Sequence, residues 1–358
     1  MHSNWPRRLA ALAIGIAAHV GAAHAGPYSD LIIFGDSLSD TGNVLALTTA
    51  FTPNPFPVYP AAPGRFSNGP VWTEVLAAGL GLPAGAQPAN LLFTGAAVVP
   101  IGAPGGGNYA YGGARTGLGG SAGATTGLFG QLINWNGAPF GTTLTRAADP
   151  DALYVLMAGA NDLRDARSTG DATLVADAAS NVVNAMALLA QAGARHFLIS
   201  NLPDLGKTPE AVDAGVTKGS TAVTLSFNAL LAAGASGLDA AFFGASGVDL
   251  DIRTIDLFGL GEAVYDDAVN HGGLTYGITN VTTPCLTPGL ISGQYFAPDA
   301  TASQCGTSAY SDDLHPTAAL HRLLGQQALS TAVPEPAPLA LLALALVALV
   351  ATRRRTRG

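Results

Sequence analysis

Asp30-Leu31-Ile32-Ile33-Phe34-Gly35-Asp36-Ser37-Leu38-Ser39-Asp40-Thr41-Gly42-Asn43 is the stretch from which the rest of the chain is read. Its opening run of large apolar residues, bounded by Asp30 and Gly35, is too short for a helix. It has the composition of a strand buried on both faces. Strands of that kind belong to parallel sheets covered by helices, in which functional residues gather beyond the carboxyl ends of the strands. Ser37 stands just past such an end, where a nucleophile would be placed. The same Asp-Ser pair is equally an ordinary helix cap.

The pattern repeats downstream. Residues 152–158, 195–200 and 248–255 read as further strands. Thr173–Ala192 and residues 223–238 carry apolar side chains at three-to-four spacing, which predicts helices. His315-Pro316-Thr317 opens a last helix that reaches about Ser330, with proline at its first position. Alternating strands and helices predict an α/β fold, a three-layer sandwich around a central parallel sheet. Residues 102–130 are glycine-rich without a period and lack Gly-Lys-Ser/Thr, so they read as loop and not as a phosphate-binding turn. The proline-rich stretch 52–63 reads as an extended surface loop and not as a domain linker.

Of the 358 residues, 48% are apolar and only 11% are charged, against about 25% in typical soluble domains. That excludes disorder of the charged, apolar-poor kind. A net charge of −8 leaves no basic face for a nucleic-acid partner. Part of the oiliness sits at the ends. Arg7 and Arg8 precede an apolar run over residues 9–18, and Ala23-His24-Ala25 supplies small residues, which is the layout of a signal peptide covering residues 1–25. At the other end, Val333-Pro334-Glu335-Pro336 precedes thirteen apolar residues (339–351) and then Arg353, Arg354, Arg355 and Arg357. Thirteen is short of the ~20 that span a bilayer comfortably, and the trailing arginines favour the cytoplasmic side. The working domain is therefore expected over residues 26–332, which hold 10 basic and 23 acidic residues, a net of −13. Cys285 and Cys305 are the only cysteines. In an exported domain they are expected to form a disulfide, whose loop closure is worth roughly 3 kcal/mol. The absence of a Cys-x-x-Cys pair gives no support to a zinc or dithiol redox site.

A serine nucleophile needs a base of near-neutral pKa, and the seven histidines can be sorted for it. His2, His19 and His24 lie in the leader, His196 starts a predicted strand, and His321 falls in the last helix. His271 reads as part of a glycine-rich loop. His315 has Asp312 and Asp313 immediately upstream. A carboxylate three residues back can hold the imidazole Nδ1–H and leave Nε2 to take the serine proton. An aspartate capping a helix beside a surface histidine would give the same pattern. An oxyanion then needs donors. Candidates are the Ser37 amide, Gly113 within Asn108-Tyr109-Ala110-Tyr111-Gly112-Gly113-Ala114, and Asn161 within Gly159-Ala160-Asn161-Asp162. Asparagine after a strand is also a common turn former. Gly119-Gly120-Ser121-Ala122-Gly123 satisfies Gly-x-Ser-x-Gly, but loop flanks it where the motif needs a strand before and a helix after.

Together, Gly35-Asp36-Ser37-Leu38, Gly113, Gly159-x-Asn161-Asp162 and Asp312-x-x-His315-Pro316 resemble the four ordered blocks of the GDSL (SGNH) esterases and lipases. Gly64-Arg65-Phe66-Ser67-Asn68-Gly69-Pro70 and Asn201-Leu202-Pro203-Asp204-Leu205-Gly206 resemble that family's secreted, lipase-like branch, so the likeness covers roughly residues 28–330. The resemblance implies a flavodoxin-like SGNH hydrolase fold, an ester or lipid substrate, and neither metal nor organic cofactor. It implies Ser37 as nucleophile, His315 as base, Asp312 as its orienting acid, and Ser37, Gly113 and Asn161 as oxyanion donors. Gly112 and Asp313 stand beside the residues so assigned, and motif spacing alone chooses between neighbours. The stretch 333–358 resembles the PEP-CTERM sorting tails of Gram-negative bacteria. That implies an exosortase-type protease as partner and delivery to the cell surface or extracellular matrix; a plain tail anchor is the alternative. The expected activity is carboxylic-ester hydrolysis, with O-deacetylation of a surface polysaccharide, or a non-catalytic matrix role on the same fold, as alternatives.

Overall fold

The computed structural model describes residues 27–57, 61–286 and 305–333. The leader read above, and the sorting tail apart from Val333, lie outside these residues. Among the described residues six strands are formed: β1 (Leu31–Gly35), β2 (Leu91–Phe93), β3 (Val98–Pro100), β4 (Leu153–Met157), β5 (His196–Ser200) and β6 (Asp251–Ile255). β2 and β3 make a small antiparallel hairpin; the other four form one parallel sheet in the order β1-β4-β5-β6. In register, Ile33 lies opposite Val155, and Val155 opposite Leu198. The free edge of β1 is covered by residues 107–111, which run beside it. The Ile33 amide donates to the Gly107 carbonyl (2.9 Å), and the Tyr109 and Tyr111 amides donate to the carbonyls of Ile33 (2.7 Å) and Gly35 (3.2 Å). Counting that extended stretch, the strand order follows the flavodoxin-like 2-1-3-4-5 scheme. The glycine-rich region is thus loop by composition and sheet edge by position.

Alternation along the strands builds two cores. Ile32, Phe34, Tyr154, Leu156, Phe197 and Ile199 face one side. They are covered by α3 (Leu128–Asn136), α5 (Thr173–Ala192) and α7 (Thr217–Ser246). Leu31, Ile33, Leu153, Val155 and Leu198 face the other side, under α2 (Trp72–Leu80) and α9 (Ala318–Ala332). Those two helices approach closely: a Cβ on Gly325 would lie 2.5 Å from the Val75 Cβ. The remaining helices are α1 (Asn43–Phe51), α4 (Ala160–Thr169), the short α6 (Pro209–Asp213) and α8 (Leu257–His271).

Several boundaries differ from the sequence reading, each for a visible reason. β6 starts at Asp251 and not at 248, because the Leu250 amide is taken by Asp239 Oδ1 (3.0 Å) and the Val248 amide by Ser246 Oγ (3.2 Å). The helix expected over 223–238 runs on to Ser246 and stops at Gly247, which takes the left-handed φ of +71°. The last helix begins at Ala318 with Thr317 as its cap, whose Oγ1 accepts the Leu320 amide, so Pro316 stays outside it. His271 is the final residue of α8, not a loop residue. Cys285 and Cys305 are joined in a disulfide with Cα atoms 5.2 Å apart.

Candidate active site

β1 ends at Gly35 because nothing larger fits. A Cβ there would lie 2.8 Å from the Met157 carbonyl oxygen and 3.0 Å from Ser39 Oγ. Gln131 of α3 grips the same residue from the side: its Oε1 accepts the Gly35 amide (2.9 Å) and its Nε2 donates to the Gly35 carbonyl (2.8 Å). The chain then turns sharply, with the Ser39 and Asp40 amides both donating to the Asp36 carbonyl and the Leu38 amide to Asp36 Oδ1. That turn leaves Ser37 at the carboxyl edge of the sheet.

Ser37 Oγ meets His315 Nε2 at 2.8 Å, and His315 Nδ1 meets Asp312 Oδ2 at 2.8 Å. All three are buried. With a carboxylate on Nδ1, the neutral imidazole carries its proton there and Nε2 accepts the serine O–H. Asp312 also folds the loop, its Oδ1 accepting the amides of Leu314 (2.8 Å) and His315 (2.6 Å). The neighbouring Asp313 is used differently, since its carbonyl accepts the Glu210 amide. Geometry therefore places Asp312, and not Asp313, on the imidazole.

The 64–70 block grips this loop. Ser67 Oγ donates to the Pro316 carbonyl (2.9 Å), Asn68 Oδ1 accepts the Ala318 amide (2.8 Å), and the Phe66 ring lies 5.3 Å from the imidazole. Below the loop, the Cys285 and Leu286 amides donate to the carbonyls of Tyr310 and Ser311, so the disulfide is anchored beside it.

Gly113 and Asn161 arrive from two other loops. Gly113 has a φ of +73°, and a Cβ on it would lie 2.7 Å from the Ser121 Cβ. The Ser121 amide donates to the Gly113 carbonyl, so the Gly-x-Ser-x-Gly stretch is packing for this loop. The Gly112 amide is committed to Asp40 Oδ2 (2.9 Å). Asp40 accepts three more amides, those of Gly42 and Asn43 on Oδ1 and of Val44 on Oδ2. Asn161 lies in the first turn of α4, and its Nδ2 donates to the Ala114 carbonyl (2.9 Å). Asp162 accepts the Thr116 amide and hydroxyl, so the two loops are tied twice. Burial pushes the Asp36 and Asp40 carboxyls up to about 6, against the amide bonds and, for Asp36, the nearby imidazole.

The other described histidines are placed differently. His196 Nδ1 faces Asp251 across the sheet (3.1 Å), and His271 Nε2 lies 3.6 Å from Asp266. His321 is fully buried, which lowers its pKa to about 3, and its Nδ1 accepts the Trp72 amide. What distinguishes His315 is the serine hydroxyl on its second nitrogen. Among the described residues no group of three or more His, Cys, Asp and Glu side chains is arranged to hold a metal ion. The sequence reading missed Gln131 and the role of Asp40. The available signal for Gln131 was a glutamine on the apolar face of a helix.

This parallel sheet flanked by helices is that of an α/β protein with the SGNH hydrolase fold. A model of the GDSL-like lipase/acylhydrolase family matches residues 31–328, and the chain belongs to that family. It is 32% identical to the phosphatidylcholine-sterol acyltransferase of Aeromonas hydrophila over 229 residues, 60% of this chain and 57% of that one. It is 27% identical to the thermolabile hemolysin of Vibrio parahaemolyticus over 315 residues, 84% of this chain and 63% of that one. It is also 31% identical to the esterase EstA of Pseudomonas aeruginosa over 222 residues, 58% of this chain and 33% of that one. The chain thus spans about three fifths of the first two relatives and one third of the last.

Proposed function

We propose that this protein is an exported serine hydrolase that cleaves carboxylic esters through an acyl-enzyme on Ser37. The observation that carries the proposal is the chain of two 2.8 Å hydrogen bonds running from Ser37 Oγ through the imidazole to Asp312. In this reading Ser37 Oγ attacks the ester carbonyl as His315 Nε2 takes the hydroxyl proton, and Asp312 stabilises the imidazolium. The oxyanion is held by the amides of Ser37 and Gly113 and by the Asn161 side chain. Its Nδ2 carries two hydrogens, of which the Ala114 carbonyl takes one. Collapse expels the alcohol, protonated from Nε2. Water, deprotonated by the same nitrogen, then releases the acid and restores Ser37.

Export rests on the leader layout of residues 1–25 and on the sorting-tail pattern of residues 333–358, whose handling falls to an exosortase-type protease. A disulfide suits an oxidising compartment. The test is turnover of short-chain p-nitrophenyl esters by residues 26–332, wild type beside Ser37→Ala, with a phosphonate probe for the nucleophile. Loss of about 10⁴–10⁶-fold in kcat and labelling at Ser37 are expected. Turnover retained in Ser37→Ala would remove the assignment.

A further inference from the structure

Asn161 and His315 come from separate segments, and the structure connects those segments through one residue. α4, which carries Asn161, is tied to the Gly113 loop by the Asn161 and Asp162 bonds described above. The loop of Asp312 and His315 is gripped by Ser67 and Asn68. Glu210 joins α4 to that loop. Its backbone amide donates to the carbonyl of Asp313, two residues before His315, at 2.9 Å. Its carboxylate accepts a forked pair of bonds from Arg164, Nε to Oε2 at 3.1 Å and Nη2 to Oε1 at 2.6 Å. Arg164 stands three residues after Asn161, on the same face of α4. Arg167 adds a second grip: its Nη2 lies 3.3 Å from Glu210 Oε1, and its Nη1 donates to Ser220 Oγ of α7 at 3.2 Å. Local sequence holds Glu210 in place. Thr208 caps α6 by accepting the Ala211 amide, proline fills the first helical position, and the flanking Pro209 and Ala211 are buried. Residues 26–332 hold only 10 basic residues, and two of them converge on this carboxylate. An exposed ion pair would contribute little to stability, whereas a forked, partly buried one fixes direction.

Resting on the ester-hydrolase reading above, we propose that Glu210 is a positioning residue for the oxyanion: through Arg164 it fixes α4, and with it the Asn161 side chain, against the loop that carries His315. An oxyanion donor acts only on an oxygen it meets at hydrogen-bond distance, and a displacement of about 1 Å can cost about 10²-fold in rate. Arg164 borders both openings beside Ser37, together with Asn161 and His315, so a change there would also alter a surface the substrate meets. Glu210 borders neither. Its effect on the reaction therefore passes through the groups it holds, which makes it the residue to change.

The test is a double-mutant cycle on one p-nitrophenyl ester, comparing wild type, Glu210→Gln, Asn161→Ala and the double variant. kcat is expressed per site labelled by the phosphonate probe, and circular dichroism and thermal melting check each fold. Glu210→Gln preserves the shape of the side chain and the amide bond to Asp313, but sets an NH₂ group against the guanidinium. It should lower kcat by about ten-fold, with KM changed by less than about two-fold. On the Asn161→Ala background the same change should cost less than about two-fold, because the donor it aligns is gone. Glu210→Asp keeps the charge, falls one carbon short of Arg164, and should show a smaller loss with the same dependence on Asn161. A loss that persists in full without Asn161 would overturn the proposal. So would a loss confined to KM, one that vanishes when kcat is counted per labelled site, or an unchanged kcat in both Glu210 variants. If no ester is turned over and the phosphonate leaves Ser37 unlabelled, the ester-hydrolase reading falls, and this one with it.

Discussion

Asp40 works at one remove from the reacting atoms. Its two oxygens accept four backbone amides, three at the start of α1 and one from Gly112, 72 residues further along the chain. Fixing the Gly112 amide fixes the Tyr111–Gly112 peptide, one residue before Gly113, and so limits the directions the next amide can take. We expect Asp40→Asn, which replaces one acceptor oxygen by a donor facing other donors, to lower kcat by about ten-fold with KM nearly unchanged. Asn161→Ala, which removes a direct oxyanion donor, should cost about 10²-fold. Steady-state kinetics of the two variants on one ester check both; an Asp40→Asn effect confined to KM would contradict the positioning role. The contrast shows what a sequence makes legible at this scale. Ser37, His315 and Asp312 stand out because the chemistry demands rare residue types at a recognisable spacing. Asp40 lies in the same quoted stretch, yet its decisive partner comes from a distant loop that no local pattern announces.

At the scale of elements, what positions the site is the way each strand ends. β1 could be read from its sequence because an apolar run closed by glycine has few other interpretations. The clamp that holds its last residue could not. Gln131 reaches Gly35 from α3 across 96 residues, and only the packing of that helix on the sheet brings them together. Gln131→Leu keeps the apolar packing of α3 and removes both bonds to Gly35, at a cost of about 1–3 kcal/mol. Denaturant unfolding should report that loss, and kcat should fall with it because the turn carrying Ser37 loses its brace. An unchanged stability would show that water or the sheet satisfies Gly35 without the glutamine. The start of α9 teaches the complementary lesson. Proline in the first helical position and threonine as cap are both good local rules, and the sequence satisfies either. Tertiary bonds decide between them: Ser67 and Ser311 hydroxyls both donate to the Pro316 carbonyl and hold that residue outside the helix.

Over the whole molecule, charge and burial act against each other, and the result is a testable pH profile. Residues 26–332 carry a net charge of −13. Two of those carboxyls, Asp36 and Asp40, are fully buried, and burial raises both from 3.8 to about 6. Between about pH 4 and 6 the folded protein therefore binds protons that the unfolded chain does not. For such groups stability declines as pH rises through that window, on the order of 2–3 kcal/mol each at most. Other carboxyls work in the opposite sense. Burial alone would raise Glu210, but Arg164 and Arg167 hold it low, and Asp251 is likewise held low, against burial, by Arg253 and His196. Their stabilisation is complete above the unfolded pKa of about 4 and is lost only as the pH falls further. Mild acidification also relieves the self-repulsion of a strongly acidic domain. His321 acts against both: buried and held near 3, it stays neutral in the folded protein while the unfolded chain takes up a proton below about pH 6.5, a cost of about 2 kcal/mol by pH 5. The melting temperature is therefore expected to rise by no more than about two degrees from about pH 8 to about pH 5 and to fall below about pH 4. Differential scanning calorimetry across that range is the measurement. Asp40→Asn should turn that small rise into a decline by removing one of the two groups that offset His321. A wild-type profile that declines steeply from about pH 8 to pH 5 would mean that neither carboxyl offsets His321, and that the turn around Ser37 is more open to water than its geometry implies.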